Sequence, residues 1–363
     1  MPLDPALADL LDTMAASASY VRPADTDLAG ARRSHEADAS RFTPPGRRAA
    51  VAGVRDTHVA TAAGPLPVRI YRPLSSATPL PTIVWYHGGG WTTGSLETGD
   101  IVARALSGGT PAVVVSVAYR LSPEHPWPAA AEDAAAALQW VAAHIDELGG
   151  DPARIAVGGD SAGGNIAAVT AQLAPDSRPH LVAQILLYPV LDLDLDRSDR
   201  YPSLRDNADG YYVTRDELRW CVRNYLPAGT DPADPRISPV LHPDLTGLPA
   251  TVLAVAQYDP LRDQGTAYAQ RPPGRVRPGD RAPRARAHPR LLRHARRHRG
   301  RRRRDGPGPP QRPRGPRGHI QPRGPVIRRA CGPARPYGSC GPSGRRGRTG
   351  PGPWHRVPRC HRR

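Results

Sequence analysis

The chain has no lysine: all 50 of its basic residues are arginine. Lysine is ordinarily among the commoner residues of soluble proteins, so its absence points to a GC-biased coding sequence, in which Arg, Pro, Gly and Ala codons dominate. Cysteine is almost missing as well. Only Cys221 precedes residue 271, which excludes a disulfide framework there and suits a reducing, cytoplasmic compartment. Cys331, Cys340 and Cys360 lack CxxC spacing, so no metal site is expected. No apolar run reaches the ~20 residues of a membrane helix. The opening "MPLDPALADLLDTMAASASY" has no basic n-region and is broken by Asp4, Asp9 and Asp12, so it does not read as a secretory signal.

Charge is divided between two regions. Up to Gln270 there are 21 Arg against 31 acidic residues; from Arg271 onward there are 29 Arg against Asp280 and Asp305 alone. The last quarter is largely Arg, Pro and Gly without apolar periodicity, and such a stretch buries too little apolar surface to offset the entropy of ordering it. The expectation is therefore one ordered domain over residues 1–270, opening with a cap segment at 1–45, followed by a disordered, low-complexity basic tail at 271–363.

Within the ordered part, short β-branched runs alternate with Ala-rich helical stretches. This predicts an α/β fold with a mostly parallel central sheet flanked by helices. "PVRIYRP", "PTIVWYH", "AVVVSVAY", "RIAVGGD", "QILLYPV" and "TVLAVAQ" read as strands. "AAAEDAAAALQWVAAHIDEL" and "SAGGNIAAVTAQLA" read as helices, and Leu7, Leu10, Leu11 and Met14 are spaced as on a helix face. The Asp-, Tyr- and Pro-rich stretch near 195–235 interrupts the alternation and suits a lid.

Two motifs carry chemistry. Gly159-Asp160-Ser161-Ala162-Gly163 joins a strand to a helix, and a serine on that sharp turn needs glycines two residues to either side. The turn lifts Oγ clear of the sheet and sets it at a helix N-terminus, where negative charge is favoured. The second motif, "WYHGGGWTTGS", closes another strand. Its glycines let backbone N–H groups approach a reacting carbonyl oxygen and, with the amide of Ala162, offer a three-donor oxyanion hole. His87 is read as bracing this loop.

HGGGW at 87–91, YRLSPEHPWPAA at 119–130, GDSAGGN at 159–165 and YDPLRDQG at 258–265 together resemble the hormone-sensitive-lipase-like family of α/β-hydrolases. The resemblance implies the α/β-hydrolase fold with a helical cap and a cofactor-free serine carboxylesterase or lipase acting on small acyl esters. It implies Ser161 as nucleophile, Gly88, Gly89 and Ala162 as oxyanion donors, and Asp259 as the residue that orients the base. Ala118 and Gln264 depart from the family pattern, where acidic residues usually stand. Asp259 also follows a strand at the end of the sheet where such active sites gather, and Asp263 reads as a capping or surface charge.

A catalytic triad needs a histidine. Chain order and element lengths place it about 30 residues after Asp259. His288 falls there, but Pro289 follows it and no apolar strand precedes it; His294 and His298 are weaker still. The reading adopted is that the coding frame is lost near residue 270, so the catalytic histidine segment is missing and activity is impaired. An inactive relative, or nonspecific polyanion binding by the Arg-rich tail, is the alternative. With only Tyr337 and Trp354 as large aromatics in that tail, no specific nucleic-acid partner is expected. Acyl-chain length and oligomeric state are not legible.

Overall fold

The computed structural model describes residues 3–15, 25–42, 45–75, 77–173, 179–197 and 199–271. His288 and the rest of the predicted tail from residue 272 lie outside the described residues. Those described lie in the first of two units, Met1–Arg297 and His298–Arg363.

Seven strands form one sheet: β1 (Gly53–Thr61), β2 (Gly64–Arg72), β3 (Leu80–Tyr86), β4 (Val113–Val117), β5 (Gly150–Asp160), β6 (Leu181–Leu187) and β7 (Ala250–Ala254). Their spatial order is β1-β2-β4-β3-β5-β6-β7. β1 and β2 form an antiparallel hairpin and β2 pairs antiparallel with β4, while every pairing from β4 to β7 is parallel. All six predicted strands are present. β1 was not predicted, because as an edge strand with most of its side chains exposed it carries no apolar alternation.

The chain steps from β3 to β4 on one side and then returns to place β5 on the other side of β3. That reversal makes the carboxyl ends of β3 and β5 the switch point, where a crevice opens in sheets of this kind. Tyr86 at the end of β3 is in register with Gly159 at the end of β5, so the two chemistry-bearing motifs leave the sheet side by side.

Helices cover the faces. All five residues of β4 are buried, as in a strand covered on both sides; each such valine contributes roughly 1.5–3 kcal/mol by burial. On one face α4 (Ala129–Ala143) and α5 (Ala162–Leu173) pack through Ala130, Ala134, Ala137, Ala167 and Ala168, side chains small enough to let both helices sit close. On the other face α3 (Asp100–Gly109) covers Tyr71, Ile83, Trp85 and Val114. No helix among the described residues covers the β6–β7 end of that face, where Val252 is 37% exposed.

The remaining helices are α1 (Pro5–Ala15), α2 (Leu28–Phe42), α6 (Ser203–Asp206), α7 (Arg215–Tyr225) and α8 (Arg262–Gln270). α7 begins with a capping box between Thr214 and Glu217. No helix among the described residues is long and apolar enough to cross a membrane.

Candidate active site

Ser161 occupies the single residue between β5 and α5, with φ 54°. This left-handed conformation costs a non-glycine residue about 1–3 kcal/mol and persists only where the surroundings hold it. Here its N–H donates to the carbonyl of Leu187 (2.9 Å) and its carbonyl accepts from Asn165 (3.1 Å) and Val190 (3.2 Å). The flanking glycines are required by contact. A Cβ on Gly163 would run into the Tyr86 carbonyl and lie 2.6 Å from that of His87, and one on Gly159 would lie 2.7 Å from the Tyr86 carbonyl. The N-terminus of α5 is thereby pressed against the end of β3.

The loop after β3 is held by its carbonyls. The His87 carbonyl accepts from the Tyr119 hydroxyl (2.8 Å) and that of Gly88 from the His87 ring at Nδ1 (2.8 Å). The Gly89 carbonyl accepts from the amides of Thr92 (3.1 Å) and Thr93 (2.8 Å) and from the Thr93 hydroxyl (3.0 Å). The Gly90 carbonyl takes the Thr92 hydroxyl (2.9 Å), that of Trp91 takes the Ser122 amide (2.9 Å), and that of Thr92 takes Arg32 Nε (3.0 Å). A trans peptide is planar, so fixing a carbonyl fixes the next N–H to the opposite side. Six consecutive peptide planes are oriented in this way, with φ 119°, 60° and 57° at Gly89, Gly90 and Trp91.

Of the expected donors, Gly88 has its amide facing the Asp160 carboxylate. The amides of Gly89 and of its neighbour Gly90 have no acceptor among the described residues. That of Ala162, as the first residue of α5, has no intrahelical acceptor. Burial pushes the Asp160 carboxyl up to about 6, against the opposing pull of the Gly88 amide. Burial pushes His87 down to about 4. Its ring is therefore neutral near pH 7, donates from Nδ1 to Gly88, and is stacked on Tyr119 with centroids 4.4 Å apart. The ring is thereby tied to the loop at Gly88 and to Tyr119 beside it.

Asp259 lies in the turn between β7 and α8, at the same end of the sheet. Burial raises its carboxyl to about 6, and Oδ1 accepts the amide of Leu261 (2.7 Å). No histidine among the described residues bonds to it. Asp263, by contrast, is a structural charge that accepts the Ser203 amide (2.8 Å) and Arg262 Nε (2.8 Å). Behind the dominant effect of burial, Asp160 and Asp259 both raise the Tyr188 phenol, so the elbow and the acid turn share that side chain as a neighbour.

The 195–235 stretch, read as a lid, is bound to both halves of the site. Asn207 donates to the Asp259 carbonyl (3.1 Å), the Ser203 hydroxyl donates to that of Pro260 (2.7 Å), and Tyr211 stacks on Tyr258 at 5.0 Å. From α7, Tyr225 stacks on Trp91 at 4.4 Å, and the Cys221 sulfur fills the space a Cβ on Gly90 would need. Tyr119 and Ser122 lie within the quoted YRLSPEHP motif, so their presence was legible though their roles were not. Arg32 and His35 on the polar α2 carried no signal. Among the described residues no three His, Cys, Asp or Glu side chains are grouped to hold a metal.

A family model described as the alpha/beta hydrolase fold matches residues 83–273. The chain is similar to the carboxylesterase NlhH of Mycobacterium tuberculosis, with 50% identity over 210 residues, 56% of this chain and 64% of that protein. It therefore spans a little under two thirds of that relative. The carboxylic ester hydrolase LipN of the same organism is 42% identical over 276 residues, covering 74% of this chain and 71% of LipN. A solved Pyrobaculum calidifontis esterase superposes with a TM-score of 0.67 at 39% identity, covering 74% of this chain and 84% of that one.

Proposed function

The chain belongs to the α/β-hydrolase fold family, and on that premise we propose that it is a serine carboxylic-ester hydrolase acting on small acyl esters through an acyl-enzyme on Ser161. The observation that carries this reading is the strained Ser161 beside two oriented, unpartnered loop amides. In the reaction, Ser161 Oγ attacks the ester carbonyl carbon while a base takes its proton. The oxygen of the tetrahedral intermediate accepts from the amides of Gly89, Gly90 and Ala162. The alkoxide leaves with the proton, and water then cleaves the acyl-enzyme by the same steps. Gly88 helps indirectly, by holding Asp160 against the elbow. Each oxyanion donor is worth about 10²–10³ in kcat.

Asp259 is the acid that would orient the base. The described histidines do not supply that base, and His288, the sequence candidate, lies outside the described residues. We read the segment after Gln270 as a lost frame, so this chain turns over far more slowly than one whose remainder supplies a strand, a histidine loop and a final helix. An oxyanion hole and a positioned serine still leave weak residual catalysis.

Labelling by a fluorophosphonate probe tests the nucleophile: the full chain should react and Ser161→Ala should not. Equal labelling of both overturns the reading, and no labelling together with tight, salt-sensitive DNA binding overturns it in favour of the tail. Hydrolysis of p-nitrophenyl butyrate as fast as by the repaired chain overturns the lost frame, as does resequencing of codons 265–275 that finds the frame continuous with a family-like end.

A further inference from the structure

α2 reaches the oxyanion loop from about 60 residues away in sequence and touches it at two points. Arg32 Nε donates to the Thr92 carbonyl (3.0 Å), and its terminal nitrogens donate to the Ser122 carbonyl (3.3 Å) and to Glu124 (2.8 and 2.7 Å). His35 Nδ1 lies 2.9 Å from the Thr93 hydroxyl oxygen. A hydroxyl has one proton, and that of Thr93 is given to the Gly89 carbonyl. The proton between His35 and Thr93 therefore comes from His35, which fixes the Nδ1–H form of the ring.

We propose that His35 is a positioning residue for ester hydrolysis, holding the Gly89–Gly90 peptide in its donating orientation through the Thr93 hydroxyl, with Arg32 fixing the neighbouring Thr92 carbonyl. The proposal rests on the functional reading above. The relay runs from the imidazole N–H to the threonine hydroxyl, from there to the Gly89 carbonyl, and through the planar peptide to the Gly90 amide. Orientation is what gives an oxyanion donor its worth, so a loose peptide plane lowers turnover without weakening ground-state binding. Burial lowers the His35 pKa, with Asp38 opposing, and His87 is the other titratable ring within electrostatic reach. A proton on Nδ1 is what the relay requires. The Arg32–Glu124 pair is partly exposed on both sides, at 31% and 48%, and such pairs are weak. The contacts that couple α2 to the donors are those to Thr92 and Thr93.

The test uses the full chain with His35→Leu, His35→Asn, Thr93→Val and Thr93→Ser. Asparagine places an amide donor near the Nδ1 position, and serine keeps the hydroxyl. Two readouts are taken: hydrogen exchange at the amides of Thr92 and Thr93, which bond to the Gly89 carbonyl, and Ser161-dependent hydrolysis of p-nitrophenyl butyrate. His35→Leu and Thr93→Val should each speed exchange and lower kcat by about tenfold, with KM within about twofold. His35→Asn and Thr93→Ser should recover most of the loss, and the double variant should be no worse than either single one. Unchanged exchange in His35→Leu, equal damage by His35→Asn, or a change in KM alone overturns the proposal. If His35→Leu fails to fold, the comparison of Thr93→Val with Thr93→Ser decides it. If the parent shows no Ser161-dependent hydrolysis, the functional reading fails and the exchange data still decide the relay.

Discussion

Gln264 grips the backbone of Asp192 from both sides: its Oε1 accepts the Asp192 amide at 3.0 Å and its Nε2 donates to the Asp192 carbonyl at 2.9 Å. The same Oε1 also takes the Leu191 amide at 2.9 Å, and the side chain is wholly buried. The clamp ties α8, directly after the Asp259 turn, to the segment that leaves β6. An amide is the group that can accept and donate in this way.

Gln264→Glu should therefore destabilise the fold at neutral pH by about 1–3 kcal/mol, because a carboxylate cannot donate and leaves the Asp192 carbonyl unpaired. Protonation restores a donor, and burial favours the protonated form. The deficit should shrink as pH falls towards the ordinary glutamate range near ~4.3. Urea unfolding of parent and variant at pH 7 and pH 4.5 measures it, and an equal deficit at both would refute the donor argument.

Gly163→Ala should be far more damaging than an alanine in an ordinary helix. The new Cβ meets the carbonyls of Tyr86 and His87, backbone that cannot yield without moving β3. Overpacking of this kind costs about 1–3 kcal/mol and sometimes more. Thermal unfolding should show a lowered midpoint, and fluorophosphonate labelling of Ser161 should fall with it. Gly108→Ala is the control, since a Cβ there meets nothing nearer than 3.5 Å.

Asp160 makes stability depend on pH in a defined direction. Its folded carboxyl is raised from 3.8 to about 6, chiefly by burial, so the native state binds more protons than the unfolded chain across that interval. Its contribution is most favourable below 3.8 and is lost as pH rises through 6. Asp160→Asn lacks this loss, so its stability relative to the parent should climb by about 2–3 kcal/mol between pH 4 and pH 7. Asp259, also raised to about 6, and His87, lowered to about 4, are common to both proteins and cancel in the difference. A difference that stays flat across those pH values would mean that Asp160 is not held in its raised state.

Added imidazole should accelerate Ser161-dependent ester hydrolysis by the full chain if the base is what it lacks. A small base able to use the Asp259 carboxylate would help the parent more than Asp259→Asn. Rates are compared after subtracting those of Ser161→Ala, which removes hydrolysis by imidazole itself. No difference between parent and Asp259→Asn would detach Asp259 from the reaction.

The uncovered end of the sheet should promote self-association. β7 pairs only with β6 among the described residues, and Val252 is 37% exposed at the end of the face that no helix among the described residues covers. Edge strands of this kind recruit further strands. Val252→Arg should lower light scattering of concentrated samples without changing the midpoint of unfolding by more than a few degrees, and unaltered scattering would point away from this face.

By itself the sequence determined the six inner and flanking strands, the Ala-rich helices and the serine elbow, because their signals are local. Continuous Val and Ile runs mark strands covered on both faces, and GxSxG is set by a steric requirement within five residues. It also displayed the break in composition after Gln270. Only the tertiary structure decided which amides around the glycine loop are left to donate. The Gly88 and Gly89 carbonyls that orient them are bound locally, by the His87 ring and by Thr92 and Thr93, but the loop on either side is held at the His87, Trp91 and Thr92 carbonyls by Tyr119, Ser122 and Arg32, residues 31 to 60 positions away. Such bonds leave no period or propensity along the chain. Equally, α2 reads as a polar stretch because it docks through Arg32 and His35 rather than through an apolar stripe, so its place over the glycine loop follows from paired donors and acceptors that come together only when the sheet brings the ends of β3 and β5 side by side.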